Sequence, residues 1–194
     1  YQGEARANSL KTEQYNYILN DLVEQWREDF RDEDLPVVIF QLAPYSDYYN
    51  LIRQVQLDTA KRTDHVYAIT TAYEGAVYSA ASGGYCLDLD RSMSNGWGNG
   101  IHPGTKRPVA ERAAYAILVG EYGMTDKYAT YLNPEYQSMT VAGNVATLTF
   151  INADGLKIRE GDTALTGFRA YGADGKELTV VSAVIDGSSV VITT

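Results

Sequence analysis

Leu35-Pro36-Val37-Val38-Ile39-Phe40-Gln41-Leu42 is a short, nearly continuous apolar run with three β-branched residues in succession. A run of that length without polar alternation marks a strand buried on both faces, hence one inside a parallel sheet. Upstream of it, Tyr15, Ile18, Leu19, Leu22, Val23, Trp26 and Phe30 recur at three and four residues. That spacing puts one apolar stripe on a helix of about five turns, with Ser9 or Thr12 as its cap. Downstream, 51–61 reads as a second helix, Val66 to Thr71 as a second buried strand, and Pro108 to Tyr122 as a third helix. Proline in its first turn and Gly123 just past its end are the expected punctuation. Strands alternating with helices predict an α/β layered domain over residues 1–123.

The texture changes after Asn133. Gln137 to Val141, Val145 to Ile151, Gly167 to Tyr171, Leu178 to Ile185 and Ser189 to Ile192 are short β-branched segments. Turn signals separate them, among them Ala142-Gly143-Asn144, Ala173-Asp174-Gly175 and Asp186-Gly187. The expectation is an antiparallel β module over 135–194, joined by a linker at 124–134. Residues 73–100 are rich in glycine and lack periodicity, which reads as a long irregular loop of the kind that carries function.

Composition excludes several classes. A formal charge of -9 and a pI near 4.7 provide no clustered cations for nucleic acid or an anionic membrane. No apolar run approaches the roughly 20 residues of a membrane-spanning helix. The single cysteine, Cys86, cannot form an internal disulfide, and two histidines without a cysteine cluster argue against a structural zinc site. Nothing implies a cofactor. The chain opens at Tyr1 with neither initiator Met nor a signal-peptide pattern, so it is expected to begin inside a folded unit.

His102 is the residue best suited to chemistry. It ends the glycine-rich loop in Asn99-Gly100-Ile101-His102-Pro103, just before a helix. Its side chain titrates near neutrality, and the loops beyond strand ends are where α/β sheets hold reacting groups. His65, in Thr63-Asp64-His65-Val66, reads as a turn residue.

Five blocks in order carry a resemblance. They are Tyr1-Gln2-Gly3-Glu4-Ala5; Trp26-Arg27; Phe40-Gln41-Leu42-Ala43-Pro44; Ile52-Arg53-Gln54-Val55-Gln56; and Ile101-His102-Pro103 with Lys106 and Ala110-Glu111-Arg112. The β module adds Tyr136-Gln137-Ser138-Met139, Val141-Ala142-Gly143-Asn144, Leu165-Thr166-Gly167-Phe168 and Gly172-Ala173-Asp174-Gly175-Lys176. Together they resemble the sialate O-acetylesterase family of SGNH-hydrolase carbohydrate esterases, some of which act on acetylated xylan. The resemblance implies the second half of a flavodoxin-like three-layer sheet domain followed by the β module. It implies His102 as general base, with Gln2, Gly3 and Glu4 lining the oxyanion and substrate side. The implied nucleophile is a serine upstream of Tyr1, and Ser9, Ser46, Ser79 and Ser82 sit in no nucleophile setting. The N-terminal part of the same protein is therefore an expected partner, the substrate an acetylated sugar, and the location periplasmic or secreted in a bacterium.

Two departures matter. Relatives have aspartate near Asn99 or Gly100, where a carboxylate would orient the imidazole. Here Asn99 is a candidate partner, with Asp90, ahead of Asp88, as the acid if the loop folds back. Relatives also have Ser-Asn where this chain has Ala5-Arg6, which removes one side-chain donor unless Asn8 replaces it. Trp97, Tyr45, Tyr48 and Tyr49 are candidate sugar platforms, while Tyr15, Tyr17, Tyr115 and Tyr122 read as half-buried helix packing. The rival reading is a non-catalytic carbohydrate-binding or structural fragment with a decayed site.

Overall fold

The computed structural model describes residues 1–7, 9–43, 47–71, 76–79, 84–87, 106–158 and 163–194. They form two compact units, Tyr1–Tyr131 and Leu132–Thr194.

In the first unit, helix α1 (Ser9–Phe30) leads to β1 (Val37–Phe40), α2 (Asp47–Arg62) and β2 (Val66–Ile69). β1 and β2 pair in parallel, with Val37 opposite Val66 and Phe40 opposite Ile69. A parallel pair requires a crossover, and α2 supplies it. Val37 and Ile39 are buried while Val38 and Phe40 are half-buried, so both faces of β1 are covered to different degrees. The core joins Tyr15, Leu19 and Val23 of α1, Val37, Ile39 and Leu42, Tyr49 and Ile52 of α2, and Val66.

The helix stripe is wider than what it buries. Ile18, Leu22, Trp26 and Phe30, which follow one another at four-residue steps, remain 40–69% exposed. Tyr17 and Tyr122, expected half-buried, are 63% and 69% exposed. Both lie on helix or turn surfaces that point away from the core.

The glycine-rich stretch, read as an irregular loop, has two short strands among its described residues. It contains β3 (Ala76–Ser79) and β4 (Gly84–Leu87), an antiparallel pair with Ala76 opposite Leu87. Helix α3 (Arg107–Gly120) carries Pro108 in its first turn, and Gly123 takes φ +63° just beyond it. Residues 124–131, expected as part of a linker, coil into α4 (Thr125–Tyr128) and one 3-10 turn. The Tyr115 ring stacks on Tyr128 and Tyr131 at centroid distances of 5.5 and 4.6 Å, which fastens this segment to α3.

The second unit holds a four-stranded antiparallel sheet in the order β5 (Glu135–Ala142), β6 (Val145–Ile151), β10 (Ser189–Thr193), β9 (Ser182–Asp186). A separate two-stranded ladder joins β7 (Ala170–Tyr171) to β8 (Glu177–Leu178). The run Leu178 to Ile185, read as one strand, is therefore two: β8 and β9 pair with different partners. Alternation sets the sheet's buried side. Val190 faces the same side as Leu148 and Ile185, Ile192 the same side as Ala146 and Ala183, and both are 6% exposed. Gly143, Gly175 and Gly187 all take positive φ at the turns that the sequence marks.

Candidate active site

Three of the five sequence blocks, with Lys106 and Arg112 from the described part of another, meet at the carboxyl ends of β1 and β2. The Tyr1 hydroxyl accepts from the Ala43 amide at 3.3 Å. The Gln2 carbonyl accepts from the Tyr15 hydroxyl at 3.0 Å and from Gln56 Nε2 at 3.0 Å. Gln56 Nε2 also donates to the Tyr15 oxygen at 3.1 Å, and Gln56 Oε1 accepts from the Leu42 amide at 3.0 Å. Gln41 Nε2 donates to the Arg53 carbonyl at 2.9 Å. Arg112 of α3 reaches the Thr70 carbonyl at 3.3 Å, just past β2. The Lys106 ammonium lies 5.8 Å from the centre of the Tyr1 ring. The carboxyl edge of a parallel sheet is where α/β folds hold ligands.

Each predicted residue has a definite place or lies outside the described ones. Gln2 is exposed, Gly3 buried and Glu4 half-buried at the start of a 3-10 turn, Glu4–Arg6. Gly3 takes φ +136°, a conformation that side chains rarely adopt, and the Arg6 amide donates to its carbonyl at 2.9 Å. Tyr45, Asp88, Asp90, Trp97, Asn99 and His102 lie outside the described residues. Tyr49, read as a sugar platform, is 7% exposed and belongs to the core, which leaves its ring no open face.

Burial tunes the polar groups at this edge. It pushes the Tyr1 phenol up to about 12 against the lowering effect of the Ala43 amide, and it raises Tyr15 despite the Gln56 bond. Both stay neutral through ordinary pH, so Tyr15 remains a hydrogen-bond donor. Desolvation lowers the Arg53 guanidinium, offset in part by Tyr1.

Sequence reasoning passed over Tyr15 and Gln56 as a polar pair. Gln56 is fully buried on the helix face that also buries Tyr49, Ile52 and Thr59. A buried amide must find partners, and that was the available signal.

The other histidine organises the opposite edge. His65 sits in the turn before β2 with φ +60°. Its Nδ1 is 3.0 Å from both Glu121 carboxylate oxygens, the Tyr67 hydroxyl donates to the same carboxylate, and Asp34 lies 3.8 Å from Nε2. Arg27, from the remaining block, donates to the Asp64 carbonyl at 2.6 Å and to the Leu35 carbonyl at 3.4 Å, tying the end of α1 to the starts of both strands.

The Glu121 hydrogen bond holds His65 above its ordinary value, and the Tyr67 hydroxyl, more than His65, holds Glu121 below its own. A raised histidine contributes stability fully below about pH 6.5 and loses it as pH rises through the folded value; a lowered carboxylate contributes above about pH 4.5 and loses it as pH falls. The link is therefore strongest from roughly pH 4.5 to 6.5. The thermal-melting gap between wild type and Glu121→Gln should be widest near pH 5.5 and narrow by pH 9. Gly120 makes room for this cluster, because a Cβ there would come within 2.5 Å of the Tyr67 ring. Gly120→Ala should thus destabilise, although alanine is intrinsically the better helix former by about 1 kcal/mol. A melting gap independent of pH would refute the His65 assignment.

Among the described residues no helix is long and apolar enough to cross a membrane, and no three His, Cys, Asp or Glu side chains group as a metal site.

Comparison with known proteins agrees with the blocks. Residues 1–77 match the family model described as carbohydrate esterase, sialic acid-specific acetylesterase. The whole chain superposes on the crystal structure of a carbohydrate acetylesterase from Xanthomonas citri, with TM-score 0.75 and 26% identity. It covers 100% of this chain and 41% of that one. No curated protein gives a significant match. The family model over residues 1–77 thus supports the sialate O-acetylesterase family that the blocks in that range resemble, and the structural neighbour supports a carbohydrate acetylesterase more generally.

Proposed function

We propose that the intact protein is a carbohydrate O-acetylesterase that removes acetyl groups from acetylated sugars through a serine acyl-enzyme. The observation that carries this reading is the convergence of the family blocks on one edge of the sheet, where Gln2, Gly3 and the end of β1 are held together. The structural neighbour is itself a carbohydrate acetylesterase, and this chain spans about two fifths of its length. In the proposal, a part of the protein outside these 194 residues supplies the serine and packs as a partner against this unit. His102, four residues before Lys106, takes the serine's proton and returns it to the leaving sugar hydroxyl. Asn99 or Asp90 orients the imidazole, backbone N–H groups at Gln2 and Gly3 with Glu4 line the acyl side, and Tyr45 and Trp97 hold the sugar. The working location is outside the cytoplasm, periplasmic or secreted, where glycans are met.

The 194-residue chain alone should hydrolyse p-nitrophenyl acetate no faster than free imidazole, because a base without a positioned nucleophile loses the covalent step. The protein with its upstream part should turn the ester over and be blocked by a serine-directed reagent. Rapid turnover by the short chain, lost on His102→Ala and untouched by that reagent, would overturn the serine mechanism. An inactive intact protein that still binds acetylated sugar would favour the non-catalytic reading, which Ala5-Arg6 and Asn99 motivate.

A further inference from the structure

Gln56 is an expensive residue to bury. It is fully enclosed, and its amide makes three hydrogen bonds: Oε1 accepts from Leu42, and Nε2 donates to the Gln2 carbonyl and the Tyr15 oxygen. A leucine or methionine of similar volume would fill the space without a desolvation cost. What the amide adds is direction. With Tyr15 it places two donors, from two different helices, on one carbonyl oxygen.

That oxygen belongs to the Gln2–Gly3 peptide. A trans peptide is planar, so its N–H points opposite to its carbonyl. With the Gln2 carbonyl drawn toward α1 and α2, the Gly3 N–H is turned away from both helices. The next peptide is fixed too, since the Gly3 carbonyl accepts from Arg6. Gly3 itself admits no side chain: a Cβ would lie 2.9 Å from Ile52 Cγ2 and 3.3 Å from the Tyr15 oxygen. The neutral phenol of Tyr15 keeps its proton for this bond across the working pH range.

We propose that Tyr15 and Gln56 are positioning residues that aim the Gly3 N–H at the developing oxyanion. This rests on the esterase reading. A donor aimed in advance stabilises the tetrahedral intermediate without reorganisation, and these two side chains supply the aim from inside the core. Neither touches the substrate.

The test uses the intact protein with p-nitrophenyl acetate. Tyr15→Phe and Gln56→Met should each lower kcat about 10-fold with KM within about twofold, because misaiming one donor costs less than the 10²- to 10³-fold of deleting it. The double variant should lose less than the product of the singles, since both act on one carbonyl. Val23→Ala is the control: Val23 is 2% exposed in the same core, lies eight residues along α1 from Tyr15, and has no polar side-chain atom to offer the Gln2 carbonyl. It should lower the melting temperature and leave kcat unchanged. The Gly3 amide NMR resonance should shift in Tyr15→Phe and Gln56→Met and stay in place in Val23→Ala. Unchanged kcat in both positioning variants, or a kcat loss in all three that tracks melting temperature, would overturn the inference. If the intact wild type does not cleave the ester, the esterase reading falls by itself. The resonance then decides whether Tyr15 and Gln56 set the peptide, and an unmoved Gly3 signal refutes it.

Discussion

Gly3→Ala is expected to destabilise the first unit by about 2–6 kcal/mol. Two costs add. An alanine at φ +136° stores about 1–3 kcal/mol of backbone strain. Its Cβ would also sit 2.9 Å from Ile52 Cγ2, and overpacking of that kind costs about 1–3 kcal/mol. Ile52 is fully buried and cannot swing aside. Gly123→Ala is the matched comparison, since Gly123 also has positive φ, +63°, but its Cβ would meet nothing within 4 Å. It should cost about 1–2 kcal/mol, the backbone cost alone. Urea unfolding of both variants separates the two terms. Equal losses would mean that the Gly3 block is looser than its hydrogen bonds imply.

His102→Ala in the intact protein is expected to lower turnover by about 10⁴-fold or more, the scale on which a serine hydrolase loses a member of its triad. The partner of His102 can be found by the same scale. A neutral imidazole has two tautomers, and the base needs the one whose far nitrogen donates to a fixed acceptor. The Asn99 amide oxygen can hold the ring but offers no negative charge to the imidazolium, so Asn99→Ala should cost only about 10-fold. A carboxylate does both, and in a known protease triad exchanging it for an amide costs about 10⁴-fold. Asp90→Ala is accordingly expected to cost on the order of 10²-fold or more, with Asp88 as second choice. If both aspartates can be replaced at full turnover, the glycine-rich loop does not supply the acid. A His102 variant that retains turnover would remove the proposed base altogether.

The elements of the first unit were legible because their signals are local. The four-residue recurrence of Tyr15, Leu19 and Val23, the apolar run Val37–Phe40, and Pro108 with Gly123 each report one turn of helix, one strand or one boundary. The family blocks were legible for the same reason, as short words in a fixed order. Choices between equal local patterns were not. The stripe Ile18, Leu22, Trp26 and Phe30 is as periodic as Tyr15, Leu19 and Val23, and only packing against β1 and α2 selects the second as core. Leu178 to Ile185 carries one continuous β signal, but its halves pair with different strands, which is a property of the partners. Burial of Gln56 could be suspected from helix phase, yet its bond to Gln2 spans 54 residues, and His65 meets Glu121 across 56. Sequence alone therefore determined the α/β class and the antiparallel module. The tertiary structure decided which polar side chains meet, because a hydrogen bond depends on where the backbone returns, and periodicity contains no record of that return.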